Sequence, residues 1–186
     1  MLTHIGTNTI KTERLILRKF KYDDADEMLK NWIADENVQH NYCEPVYTTK
    51  EAVNELIDKY IGSYENKDYY RWSIIEKCSG ECIGQIAYFL IDSKNHFGEI
   101  EYCIGTGFQR RGYATEAAKA VISYGFNNIN LHKVQICVRP INIASKRVIE
   151  KCSFTYEGTL RDYFCINGEY QDRMYYSILR SEFDAT

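Results

Sequence analysis

The 186-residue sequence has only 2 prolines, Pro45 and Pro140, and no low-complexity stretch or internal repeat. Nothing in it is typical of a linker, so we expect a single domain over residues 1–186. The longest apolar run, Ile86–Ile91, is far too short to span a bilayer. The first residues lack the apolar stretch of a signal peptide, so we expect a cytoplasmic protein without membrane contact.

An excess of either charge is also missing. The chain carries 23 Lys and Arg against 26 Asp and Glu, a formal net charge of −3. Without a long basic run we expect no nucleic-acid partner, and a mildly acidic protein tolerates a cationic amine. The 7 cysteines include no Cys-x-x-Cys pair, and no histidine joins Cys78 and Cys82 at metal-ligand spacing. We therefore expect reduced thiols and no metal.

Hydrophobic periodicity predicts an α/β (mixed α+β) fold in the order β-α-α-β-β-β-α-β-α-β-β, which excludes a doubly wound parallel sheet. The Asn167-Gly168 dipeptide predicts a tight hairpin between the last two strands. The predicted strands are Glu13–Phe20, Tyr69–Glu76, Cys82–Ile91, Phe97–Ile104, Lys133–Arg139, Phe154–Cys165 and Tyr170–Leu179. The predicted helices open at Asp23, at the capping box Thr48-x-x-Glu51, after Gln109 and at Asn142.

The segment GEIEYCIGTGFQRRGYAT, residues 98–115, leads from a strand through a glycine- and arginine-containing loop into a helix. The first amides of a helix have no intrahelical partner, and with the helix dipole they form an anion site. Gly112 has no Cβ, so a phosphate can approach its backbone. Arg110 and Arg111 add donors and positive charge. This combination suits a pyrophosphate.

Three other interpretations of this loop compete. A nucleotide P-loop would need Lys-Ser/Thr where Tyr113-Ala114 stands. A Rossmann dinucleotide turn would begin at Gly105 and Gly107 but needs glycine at Arg110. A plain strand-to-helix turn, with its arginines in solvent, requires no ligand at all.

The segment Gln109–Ala114 (QRRGYA) matches the Q/R-x-x-G-x-G/A loop of the GNAT superfamily of N-acetyltransferases. Pro140–Cys152 resembles the P-x-N-x-A-S-x-R-V-L-E-K-C segment of its RimJ/RimL-type branch, and Thr12–Arg18 is similar to that branch's first strand. The resemblance covers most of the chain. It implies the GNAT fold, a twisted, mixed, mostly antiparallel sheet of about seven strands flanked by four helices. It also implies acceptor-side helices at about 23–64 and an acetyl-CoA core at about 98–154.

The resemblance implies that the amides from about Arg110 to Thr115 hold the pyrophosphate of coenzyme A, and that the pantetheine arm lies between two splayed strands. Asn142 matches a family asparagine that binds this arm, although its side chain could equally be a helix N-cap. Ser145 is expected near the thioester sulfur. The residues expected to contact the cofactor are Cys103, Ile104, Gly105, Gln109, Arg110, Arg111, Gly112, Tyr113, Ala114, Thr115, Asn142, Ser145 and Lys146.

The expected catalytic residues are Glu99, Glu101 and Ser145. Glu99 and Glu101 share a strand face, and either could deprotonate the amine directly or through water, or both could be solvated carboxylates. A backbone amide of Cys103–Gly105 is expected to stabilise the oxyanion. The family's tyrosine acid is excluded because Ile149 stands at its position, which leaves Ser145 or water as proton donor. Ser153 also replaces the glycine of the family's closing Gly-Phe.

The resemblance implies an N-acetyltransferase that moves an acetyl group from acetyl-CoA to a primary amine by direct transfer in a ternary complex. The acceptor could be a protein amino terminus, a polyamine, an amino sugar or an antibiotic. A homodimer is compatible with the resemblance. The alternatives are an acyl-CoA-binding module without turnover and a plain interaction domain.

Overall fold

The computed structural model describes residues 1–166 and 168–185 of the chain. Within these residues, one sheet contains 8 strands in the order β1-β2-β3-β4-β5-β6-β8-β7. The strands are β1 Ile10–Lys11, β2 Leu15–Arg18, β3 Tyr70–Glu76, β4 Cys82–Asp92, β5 Phe97–Ile104, β6 Lys133–Val138, β7 Thr155–Ile166 and β8 Glu169–Leu179. The α-helices are α1 Ala25–Met28, α2 Glu36–Tyr42, α3 Lys50–Ser63, α4 Tyr113–Tyr124, α5 Ile143–Lys151 and α6 Arg180–Phe183.

The sheet is mostly antiparallel, as predicted. The exception is the contact between β5 and β6, which is parallel and pairs Phe97 with Lys133, Gly98 with Val134 and Glu99 with Gln135. The connection between these two strands contains α4, in keeping with the crossover that parallel neighbours require.

Hydrophobic side chains cover both faces of the sheet. Because side chains alternate along a strand, Leu15 and Leu17 pack with α4 in one buried cluster, whereas Ile16 contacts a second cluster on the other face. This second cluster contains Met28 and Ile57, so the first helices pack on the side opposite α4. The sheet therefore separates a face covered by the early helices from a face covered by α4.

Several predicted boundaries are wrong. The second predicted helix is capped one residue later, because the Thr49 hydroxyl rather than that of Thr48 accepts from Ala52 N at 3.3 Å. The helix α2 was not predicted, although Asp35 caps it by accepting from Asn37 N at 2.9 Å. The short β1 and α6 also have no predicted counterpart. The proposed hairpin residue Asn167 lies outside the described residues.

In the described part of the chain, no helix is long and apolar enough to cross a membrane. The same residues contain no group of His, Cys, Asp or Glu side chains placed to hold a metal ion.

Candidate active site

The strands β5 and β6 part in the middle of the sheet. Their pairing ends at Glu99 and Gln135, although β5 continues to Ile104 and β6 to Val138. A cavity of about 230 Å³ opens where they separate, and residues of both strands line it. Side chains from α2 and α5 complete its walls, so the opening connects the two faces of the sheet.

The loop after β5 ends in a helix N-terminus that no side chain caps. Gly112 is the N-cap of α4 with φ 84°, a left-handed conformation that favours glycine. Arg110 is left-handed as well, with φ 62°. Such loops turn successive N–H groups toward one side and form anion-binding concavities. The side chain of Gln109 fixes the loop to the strand by donating to the Ile104 carbonyl at 2.9 Å.

The N-terminus of α5 reaches the cavity from the α4 side of the sheet. The side chain of Asn142 accepts from Ser145 N at 3.0 Å, which confirms its role as an N-cap. The Ser145 hydroxyl accepts a hydrogen bond from the Tyr102 hydroxyl at 3.1 Å. Lys146 lies on the same helical turn and is partly exposed. Asn142, Ser145 and Tyr102 all line the cavity.

Glu99 is a buried carboxylate with two partners and is only 3% exposed. Its Oε1 lies 2.7 Å from Nη2 of Arg173, and its Oε2 accepts from Nε2 of Gln135 at 2.6 Å. The rings of Tyr163 and Tyr175 stack on the same guanidinium, each centroid 4.8 Å away. Glu99 is therefore not a solvated carboxylate, and both of its oxygens are occupied.

Glu101 belongs to a second network, which it forms with Arg71 of β3 and Tyr42 of α2. Its Oε1 accepts from Nη2 of Arg71 and from the Tyr42 hydroxyl, each at 2.7 Å. Burial lowers the pKa of Arg71, but the groups around it, including Tyr42 and Glu101, raise it above its ordinary value. Burial also raises the pKa of Tyr42, so its hydroxyl stays a donor. Both contacts fall on Oε1, and Glu101 lines the cavity.

At the end of β5, the structure corrects the expectation that the Gly105 amide could stabilise the oxyanion. The amide of Gly105 donates to the Ile83 carbonyl at 2.9 Å, so it is not available to an oxyanion. A Cβ on Gly105 would lie 2.1 Å from the carbonyl oxygen of Asn31, which explains the glycine.

The Cys103 thiol packs in the cluster of early helices, where burial raises its pKa to about 12. It is therefore a protonated core thiol and not a nucleophile.

The structure brings Glu101, Asn142 and Ser145 together around one cavity. Glu99 lies behind its wall, and the loop of residues 109–115 lies outside it, beyond the end of β5. Sequence reasoning missed the residues that complete the site, because their partners are distant along the chain. They are Arg14, Arg71, Tyr102, Glu116 and Arg173. Tyr42 is different, because it begins the tyrosine-rich stretch Tyr42–Tyr47, which the sequence already suggests for the acceptor side.

A family model described as an acetyltransferase (GNAT) domain matches residues 14–155. An N-acetyltransferase of Bacillus licheniformis, named uncharacterized N-acetyltransferase p20, is 33% identical over 94% of this chain and 98% of its own length.

Two solved structures share the fold. Spermidine N-acetyltransferase from Vibrio cholerae, in complex with CoA and spermine, has a TM-score of 0.78 at 26% identity and covers 92% of this chain and 99% of its own. Ribosomal-protein-S5-alanine acetyltransferase from Vibrio fischeri has a TM-score of 0.81 at 21% identity, covering 94% and 98%. The second likeness is one of fold alone.

Proposed function

The chain belongs to the GNAT family of acetyltransferases, and we propose that its cavity binds acetyl-CoA and a primary amine side by side for direct acetyl transfer. Membership of this family makes the protein an acetyl-CoA-dependent N-acetyltransferase. The observation that carries the proposal is the end of β5–β6 pairing at Glu99 and Gln135, beside the uncapped N-terminus of α4. We further propose that the whole chain acts as one domain, which its single continuous sheet supports.

The residues present fit coenzyme A. Free amides and left-handed Gly112 suit a diphosphate, and the unpaired stretch of β5 suits an extended arm that pairs with strand backbone. Gln109, Arg110, Arg111, Tyr113, Ala114 and Thr115 would complete the diphosphate site. Asn142, Ser145, Lys146, Cys103, Ile104 and Gly105 would border the arm.

On the other side of the sheet, Glu101 would accept the proton of the amine. Neither Arg71 nor Tyr42 contacts Oε2 of Glu101, so this oxygen can accept the proton. The contacts of Arg71 and Tyr42 with Oε1 fix the orientation of the carboxylate. Glu99 would position Arg173 instead, because both of its oxygens are occupied. Ser145, on the opposite wall, would donate a hydrogen bond to the leaving sulfur.

Coenzyme A release from acetyl-CoA should be measured over an amine panel that contains free-amino-terminal peptides, polyamines, amino sugars and aminoglycosides. The proposal is supported if coenzyme A release depends on one class of amine and mass spectrometry detects the acetylated product. That result would also identify the class of acceptor. Tight acetyl-CoA binding without release on any amine would favour the alternative, an acyl-CoA-binding module without turnover.

A further inference from the structure

A hydrogen bond crosses the cavity between strand β5 and helix α5. The Tyr102 hydroxyl donates to Oγ of Ser145 at 3.1 Å, and both side chains line the cavity. The bond therefore links the two walls between which the thioester would lie.

Ser145 retains a proton that it can give to a ligand. Serine in a helix commonly donates to the carbonyl four residues earlier, which would consume this proton. Here Oγ accepts from Tyr102, and no acceptor for its own proton lies among residues 1–166 and 168–185. The Asn142 cap on the amide of Ser145 fixes the helical turn that carries the hydroxyl.

Tyr102 remains a neutral donor over the working range of pH. Burial raises its pKa, and the hydrogen bond to Ser145 lowers it only in part. A phenol that holds its proton this firmly does not transfer it to a thiolate, but it can orient and polarise the serine hydroxyl. Ile149 is buried and 1% exposed on α5, so that helix position supplies no acid of its own.

We propose that Tyr102 is a positioning residue for acetyl transfer, whose hydroxyl directs the Ser145 hydroxyl toward the sulfur and thereby stabilises the departing thiolate. The inference rests on the proposed function. In this step the amine nitrogen bonds to the carbonyl carbon and gives up a proton to Glu101, the C–S bond breaks, and its electron pair goes to sulfur. The protons of both hydroxyls stay on their own oxygens, and water later protonates the released thiolate.

The direct test is the acidity of the thiol of bound coenzyme A, followed by the ultraviolet absorbance of the thiolate as pH is raised. We expect this thiol to be about tenfold more acidic on the wild-type protein than on Tyr102→Phe or Ser145→Ala. Tyr124→Phe is the matched control, since it removes a buried hydroxyl that donates to the Gly6 carbonyl at 2.6 Å in the distant core. The control should leave the thiol titration unchanged.

Kinetics with the best acceptor provide a second readout. Each single variant should lower kcat by about 10- to 100-fold with little change in the Kd of acetyl-CoA. The double variant should be no slower than the slower single one, because the two hydroxyls act as one unit. A purely structural tyrosine would instead give independent effects that multiply.

An unchanged thiol acidity in folded Tyr102→Phe, or multiplying kinetic effects, would overturn the inference. If Tyr102→Phe does not unfold cooperatively, the titration is made on Ser145→Ala instead. An unchanged thiol acidity in Ser145→Ala would also overturn the inference. The titration needs no acceptor, so it separates this inference from the proposed function. That function fails if the wild-type protein acetylates no amine.

Discussion

The guanidinium of Arg14 pairs with the carboxylate of Glu116, Nη2 lying 2.7 Å from Oε2, and so joins the start of β2 to the first turn of α4. Arg14 Nη1 also donates to the Arg111 carbonyl at 2.8 Å, and the Thr12 hydroxyl donates to Glu116 at 2.6 Å. A bare carboxylate at this helix end would compete with a diphosphate for the positive dipole. Pairing removes that competition and holds the loop in shape.

Replacement of Arg14 by glutamine should therefore weaken acetyl-CoA binding. The loop carbonyl of Arg111 loses a donor and Glu116 is left unpaired near the anion, so we expect about a tenfold rise in Kd by calorimetry. Lys50→Gln is the control, since its partner Asp26 belongs to an exposed pair with side-chain exposures of 51% and 70%. Equal Kd values for wild type and Arg14→Gln would refute the role of the pair.

The carboxyl of Glu116 also makes stability depend on pH. Burial raises its pKa, but hydrogen bonds from Thr12 and Arg14 outweigh burial and hold the pKa below the ordinary 4.5. A lowered folded pKa gives stability that is present above 4.5 and is lost as pH falls through the folded value. The unfolding free energy of wild type minus that of Glu116→Gln should thus shrink below this pH in chemical denaturation. A constant difference down to acid unfolding would contradict the assignment.

Gly112→Asp should severely weaken acetyl-CoA binding, by about 100-fold or more, because it sets a charge and a side chain against the diphosphate. The φ of 84° adds strain, and a Cβ at this position would lie 3.4 Å from Nη2 of Arg14. Gly107→Asp places the same charge in the same loop, at a position where a Cβ would have no atom within 4 Å. This variant should weaken acetyl-CoA binding much less. Similar losses in both variants, or near-normal affinity in Gly112→Asp, would contradict close contact at Gly112.

Substitutions of the two β5 carboxylates, Glu101 and Glu99, should have different effects on activity and stability. Glu101→Gln should lower kcat by about 100-fold or more, as expected for loss of a base, and should also destabilise the fold because Arg71 loses its charged partner. Glu99→Gln should destabilise the fold by about 2 kcal/mol, because Arg173 loses its charged partner, but should change kcat little. Both are measured by steady-state kinetics and denaturant unfolding. A kcat loss confined to Glu99→Gln at full stability would reverse the two roles.

Local patterns predicted much of the fold. The alternation of Leu15 and Leu17, the apolar spacing of α4 and the preference of Asn142 for an N-cap depend on neighbours in sequence, and the structure confirms all three. The short α2 was missed because its 7 residues carry few apolar positions, although Asp35 is an N-cap signal.

The ion pairs of the site could not be predicted from one sequence. Glu101 meets Arg71 30 positions away, and Glu99 meets Arg173 74 positions away, so only the folded sheet brings them together. Periodicity likewise shows two strands near β5 and β6 but not where their pairing ends. The resemblance implied that the two strands splay, and the end of their pairing at Glu99 and Gln135 confirms the splay and gives its position.

A crystal structure of the protein with coenzyme A tests the central claim most directly. It should place the diphosphate on the amides of residues 110–115 and the pantetheine arm between β5 and β6, with the sulfur beside Ser145. A diphosphate bound elsewhere, or a closed β5–β6 gap in the complex, would contradict the account.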